Sequence, residues 1–244
     1  MAEPRRPVPG LARRDFLRLA LVAGPAALVA AFEWDGGPLI EGGLERMSRL
    51  NDWVGEHVFL SSTRLAPTYP AWARQGMQMP AYFVSDEVPV LKRPDEWALA
   101  VGGLVRKPMR LTLEELQKLP LASYTVKHHC VEGWTAIATW TGVPVRAILD
   151  LVQPTADARY LRFDSFDSDY SNGWDLASAA HPQTILAYAH NDKPLAPDHG
   201  APLRLYSPIK LGYKLTKYLT AMTLTRDRPG GYWEDRGYSW FGGL

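Results

Sequence analysis

The chain has one cysteine, Cys130, in the run Val126-Lys127-His128-His129-Cys130-Val131-Glu132-Gly133-Trp134. A single thiol cannot close an internal disulfide, so Cys130 is a metal ligand, a nucleophile or a core side chain. Free cysteine is among the most buried residue types, and packing is its usual role. The neighbouring histidines do not make a zinc site, because structural zinc takes four ligands at short recurring spacings and neither a second cysteine nor a following histidine pair supplies them. On an extended strand only one of His128 and His129 shares a face with the neighbours of Cys130. Glu132 is either a proton donor beside a reactive centre or a solvated carboxylate at a strand end. Trp134 and Trp140 read as pocket wall or core.

Further blocks gather cations and glycines. They are His199-Gly200-Ala201-Pro202-Leu203-Arg204 and Gly212-Tyr213-Lys214-Leu215-Thr216-Lys217. Arg204 is able to grip a phosphate with two parallel hydrogen bonds, which lysine cannot do. Its alternative role, and that of Lys217, is solvation of a strand edge.

Together these blocks resemble the molybdenum-cofactor domain of the sulfite oxidase family over about residues 80–225. Tyr82-Phe83-Val84 and Val88-Pro89-Val90 look like that domain's opening strand, and Cys130 with Gly142-Val143-Pro144 looks like its metal-ligand segment and following helix. The resemblance implies a mononuclear molybdenum held by a pyranopterin dithiolene, with Cys130 as the thiolate ligand. Molybdenum favours soft sulfur donors, and a metal-bound thiol is deprotonated. By the same resemblance His199, Arg204, Leu215, Thr216 and Lys217 contact the cofactor. Asn51 is similar to an asparagine of the periplasmic methionine sulfoxide reductase branch, although a turn-forming asparagine reads equally well. Ser165 stands where that branch has a cofactor-contacting threonine. Cys130-Val131-Glu132 also matches that branch, so Cys130 and Glu132 are the catalytic candidates.

The chain departs from both relatives. Sulfite enzymes carry an arginine where Phe83-Val84-Ser85-Asp86 has Ser85, and an Asn-Arg-Arg where this chain has Glu132-Gly133-Trp134. Loss of those cations and gain of a carboxylate disfavour a sulfite dianion. His199 replaces an asparagine of the sulfoxide reductase branch.

The elements that must position these residues are short. Thr112 through Glu115 reads as a capping box opening a helix that stops before Pro120. Tyr124–Val131 reads as a strand placing Cys130 at its end. Val145, Ile148, Leu149 and Val152 have helical spacing and end before Pro154. Segments 96–104, 160–163, 184–189, 203–206 and 216–224 read as strands, and the tail from Arg226 has no periodicity. Residues 33–80 read as an irregular arm wrapping a domain at 81–244. Short strands mixed with short helices give an α+β class, and the resemblance specifies the sulfite oxidase molybdopterin-binding fold with mixed sheets. A G-x-G-x-x-G run is absent, which disfavours a nicotinamide fold.

Composition sets outer bounds. The 244 residues are 46% hydrophobic with net charge +1, which is globular and gives no reason to expect nucleic acid as partner. The charge is uneven: residues 1–32 hold five arginines against two acids. Arg13-Arg14 followed by an apolar run from Leu19 to Phe32 matches a bacterial twin-arginine export signal. That 14-residue run is short for a membrane span, which takes roughly 20 residues. The expected location is therefore periplasmic, with residues 1–32 either cleaved or kept as an anchor through residues 13–32.

The expected activity is two-electron oxygen-atom transfer on an S-oxide or related small molecule, with electrons exchanged with a separate haem or cytochrome protein. One cysteine cannot build a C-x-x-C-H haem motif. Sulfite oxidation is one alternative. A binding or assembly subunit that keeps the fold without catalysis is another.

Overall fold

The computed structural model describes residues 37–244 apart from 60, 62 and 76–78. The export reading rests on residues 1–32, which lie outside the described residues.

The strands form two five-stranded sheets. One has the order β2 (Met109–Leu111), β1 (Leu99–Gly103), β10 (Leu219–Thr225), β5 (Tyr160–Ser165) and β6 (Ser171–Asp175). Only its β1–β10 pair is parallel among its pairings. The other runs β3 (Ala122–His129), β4 (Thr135–Pro144), β7 (Ile185–His190) and β8 (Lys193–Pro194), with β9 (Arg204–Tyr206) also paired to β7. The α+β class read from the sequence is the observed one.

Helices cap these sheets. Thr112 closes the expected capping box with Glu115 and opens α2 (Leu113–Gln117). In α3 (Val145–Val152) the four apolar positions at helical spacing are the buried ones, and Gln153 ends the helix in a left-handed conformation before Pro154. A short α4 (Leu176–Ala179) is capped by the Asp175 carboxylate. Among the described residues no helix is long and apolar enough to cross a membrane.

The core joins both sheets. Leu99, Val126, Trp140, Ile148, Phe163, Trp174, Leu205 and Met222 are fully buried. Each such side chain contributes about 1.5–3 kcal/mol on leaving water. Gly142 sits where the register between β4 and β7 shifts, and a Cβ there would collide with the Leu186 carbonyl. The close approach of these strands therefore demands glycine.

Three expectations fail. Residues 33–80 are not uniformly irregular, because α1 spans Gly37–Val54 and continues as a π-turn over Gly55–Phe59. Pro38 suits a first turn, and Leu44, Met47 and Leu50 recur at helical spacing, which outweighs Gly42 and Gly43. Segment 82–90, expected to be a strand, is a loop held by side-chain contacts. The strand expected from Thr216 starts only at Leu219, because Tyr218 takes a positive φ of 55°.

Candidate active site

The end of β3 and the start of β9 on one sheet meet the end of β5 and the approach to β10 on the other. Between them lies a cavity of about 370 Å³. Its wall includes Cys130, Glu132, Ser165, His199, Arg204, Leu215 and Lys217 from the expected set.

Cys130 is the first residue after β3. Its N–H donates to the Trp134 carbonyl at 3.0 Å, and its carbonyl accepts from Gly133 at 3.1 Å, so the β3–β4 turn pins its backbone. Its thiol donates to Glu132 Oε2 at 3.7 Å, and the Trp134 indole donates to the same oxygen at 3.1 Å. Burial, followed by the nearby Glu132 charge, pushes the Cys130 thiol above its ordinary range. A hydrogen bond to Glu132 raises the Tyr82 phenol in turn.

His128 faces the cavity, while His129 is part-exposed on the other face of the strand. The His128 ring stacks against Trp134 at 5.3 Å and Tyr206 at 6.0 Å. Burial first, then Arg204, pushes His128 down to about 3, so it is neutral at physiological pH.

Arg204 opens β9 and is 4% exposed. Its guanidinium donates to the carbonyls of His199 at 3.0 Å and Leu215 at 3.4 Å and lies 4.7 Å from the Trp140 ring centre. It forms no ion pair with a carboxylate among the described residues. Burial lowers it to about 10. Lys217 donates to the Asp198 carbonyl at 3.0 Å, and burial, then Arg204, lowers it to about 7. Gly200, at φ 101°, brings its Cα against the Lys217 stem, where a Cβ would lie 2.8 Å from Lys217 Cβ.

Other expected residues serve these. Ser165 Oγ donates to the Lys217 carbonyl at 2.8 Å and accepts from Asp167 N at 2.9 Å. Thr216 is fully buried outside the cavity wall and accepts from Asn172 at 3.4 Å. Asn51 is exposed on the last turn of α1 and does not line the cavity. Its neighbour Asp52 is the engaged residue, buried and hydrogen-bonded to Arg228, Ser239, Trp240 and Phe241.

The sequence reading missed Asp167 and the aromatic side. Asp167 is 2% exposed and accepts from Val84 N and Ser85 N, both at 2.8 Å, and from Ser85 Oγ at 2.6 Å. Tyr170, Tyr213, Tyr218, Trp233 and Tyr238 complete the wall. Only Tyr213 lay inside a recognised block; Tyr218 lay in the segment read as a strand, and Tyr170, Trp233 and Tyr238 come from stretches without periodicity.

Residues 85–233 match the family model of the oxidoreductase molybdopterin binding domain. The chain belongs to that family. A putative protein-methionine-sulfoxide reductase subunit YedZ1 of Azospira oryzae is 40% identical over 95% of this chain and 88% of its own length. A protein-methionine-sulfoxide reductase catalytic subunit MsrP of Campylobacter jejuni is 30% identical over 60% of this chain and 54% of its own length. In fold, the chain is similar to the sulfane dehydrogenase SoxCD of Paracoccus pantotrophus, with a TM-score of 0.57 at 20% identity, over 71% of this chain and 50% of that one.

The molybdopterin-binding family implies an anionic sulfur-donor cofactor, and the residues present fit it. Arg204 is a buried cation and Lys217 a partly buried one, and neither has an ion-pair partner among the described residues, a costly arrangement that an anionic phosphate offsets. Arg204 Nε, Tyr218 OH and His190 Nε2 are buried without hydrogen-bond partners. Such groups need a partner from somewhere. The chain is a molybdopterin-dependent oxidoreductase.

Proposed function

We propose that this protein reduces an uncharged S-oxide to the sulfide at a molybdenum centre ligated by Cys130. The observation that carries this reading is the charge layout of the cavity. Among the described residues that line it, Arg204 and Lys217 are the only lysine or arginine side chains, and Asp167, Glu132 and aromatic rings make up much of the rest. At the position where sulfite enzymes place an arginine, Ser85 instead donates to the Asp167 carboxylate. Two carboxylates, with no further lysine or arginine among the described lining residues, suit a neutral substrate and repel a dianion.

Bound molybdopterin supplies the two-electron oxygen-atom exchange. The chain supplies orientation, exclusion of water and protons. Arg204 and Lys217 hold the phosphate, and His199 and Leu215 shape the loop around them. Glu132 Oε2, fixed by the Trp134 indole, is the acceptor that takes up a proton and relays it to the reaction. Reduction of the S-oxide takes two electrons and two protons and releases the sulfide and water.

The electrons come from a separate redox protein that carries haem. The protein acts in the periplasm, reached by the twin-arginine route with residues 1–32 as signal or, if retained, as anchor. The names of the two sulfoxide reductase relatives support this direction of turnover.

The test is a screen of molybdenum-loaded protein. Dimethyl sulfoxide, methionine sulfoxide and trimethylamine N-oxide are offered with reduced viologen, and sulfite with an oxidised cytochrome. Reduction of the S-oxides with no sulfite turnover is the expected result. Robust sulfite oxidation would overturn the reading. A loaded protein inert in every assay would favour a binding or assembly role.

A further inference from the structure

Two buried aspartates far apart in sequence do the same job for two segments that reach one cavity. Asp167 takes the backbone N–H groups of Val84 and Ser85, just after Tyr82. Asp52 takes the N–H groups of Trp240 and Phe241 at 3.2 and 3.1 Å and the Ser239 hydroxyl at 2.6 Å, just after Tyr238. Their residues are 2% and 4% exposed.

The aromatics they back are different in kind. Tyr82 and Tyr238 line the cavity yet are 56% and 38% exposed, so they stand at its rim. Both lie outside residues 85–233, the span that the family model matches. Tyr238 packs at 5.2 Å from Tyr213 and 5.0 Å from Trp233, two further lining rings. Met79, Pro80 and Phe83 continue the rim on the Tyr82 side.

A cavity of about 370 Å³ is close to the size that one cofactor-sized group fills. The flank of a substrate then meets the rim. Buried charges are weak contributors to net stability, and their attested use is to fix position. Two of them that each hold a loop backbone, Asp52 with Arg228 also on its carboxylate, point to placement of what those loops present.

We propose that Tyr82 and Tyr238 form an aromatic collar that selects S-oxides bearing a flat or bulky apolar substituent, and that Asp167 and Asp52 are its positioning residues. The proposal rests on the S-oxide reading above. Ring contacts give it magnitude, since an aromatic contact with its buried area changes affinity roughly three- to twentyfold.

The experiment compares methyl p-tolyl sulfoxide with dimethyl sulfoxide on loaded wild type, Tyr82→Ala, Tyr238→Ala, Tyr82→Phe and Tyr238→Phe. The expected result is a KM for the aryl substrate raised roughly three- to twentyfold in each alanine variant. The KM for dimethyl sulfoxide moves far less, molybdenum content stays at the wild-type level, and phenylalanine restores the aryl KM. Asp52→Asn and Asp167→Asn shift the same KM ratio in the same direction. If an aspartate variant does not fold, the tyrosine variants decide. Equal KM changes for both substrates, or none in loaded alanine variants, would overturn the collar. Should loaded wild type reduce neither substrate, the functional reading fails, and calorimetry with methyl p-tolyl sulfide decides the collar separately: weaker binding in the alanine variants supports it, and equal binding overturns it.

Discussion

The Arg204 guanidinium lies 4.7 Å from the centre of the Trp140 ring, on an indole that is itself fully buried. The indole face offsets part of the cost of burying the cation, and the carbonyls of His199 and Leu215 fix its fork. Nothing anionic among the described residues neutralises it. An arginine held this way is built to receive a bidentate anion.

Replacing Arg204 with alanine should empty the site. A buried phosphate that loses a bidentate partner forfeits about 2–5 kcal/mol, or roughly 30- to several-thousand-fold in affinity. Lysine at that position should restore part of the loading, since it keeps the charge and lacks the fork. Molybdenum analysis and pterin fluorescence of the purified variants measure this. A fully loaded Arg204→Ala protein would show that Arg204 does not hold the cofactor.

Cys130 gives a prediction independent of turnover. Burial raises its thiol pKa, so cofactor-free protein should react with iodoacetamide at pH 7 more slowly than free cysteine, and faster as pH rises. Loaded protein should be protected, because the sulfur is then a ligand. Cys130→Ser should keep the pterin through its phosphate contacts and lose activity. Rapid alkylation of loaded protein would remove Cys130 from the metal.

How much of this was legible in the sequence follows from where each residue sits. Cys130, Arg204 and Lys217 lie beside strands with clear apolar patterning, so their blocks could be recognised and ordered. The four buried positions of α3 were readable from spacing alone. Asp52 and Asp167 were not, since each acts on backbone N–H groups more than 80 residues away, and no local pattern encodes such a contact. Asn51 drew attention because it matched a motif, while its neighbour carries the contacts. Helix α1 was hidden by Gly42 and Gly43, whose low helix propensity weakens a pattern that Leu44, Met47 and Leu50 nonetheless maintain.

The cation pair ties stability to pH with a definite sign. Burial holds native Lys217 near 7, well below the value of about 10.4 for an unfolded lysine. Between these values the unfolded chain binds more protons than the native one, so stability of the cofactor-free protein should rise with pH from about 7 to 9. One such group contributes up to about 1.4 kcal/mol per pH unit. Native Lys210, also near 7, adds to the slope. Lys217→Met should flatten the slope and raise cofactor-free stability at pH 7, while lowering cofactor retention. Thermal melts from pH 6.5 to 9 on both proteins check the sign; a wild-type Tm that falls across this range would refute it.

Ser165 separates positioning from direct contact. Its hydroxyl donates to the Lys217 carbonyl and accepts from Asp167 N, so it couples the lysine to the aspartate that holds the 82–85 loop. Alanine leaves both backbone groups short of a partner, at a cost of about 1–3 kcal/mol in stability. Threonine keeps the hydroxyl and should recover most of that. If Ser165 acts only through Lys217, Ser165→Ala should lower the Tm and shorten cofactor retention, with kcat per bound molybdenum staying within about twofold of wild type, as expected when no interaction made only in the transition state is removed. A fall of tenfold or more in kcat per molybdenum, with the Tm unchanged, would instead place the Ser165 hydroxyl against the reacting groups.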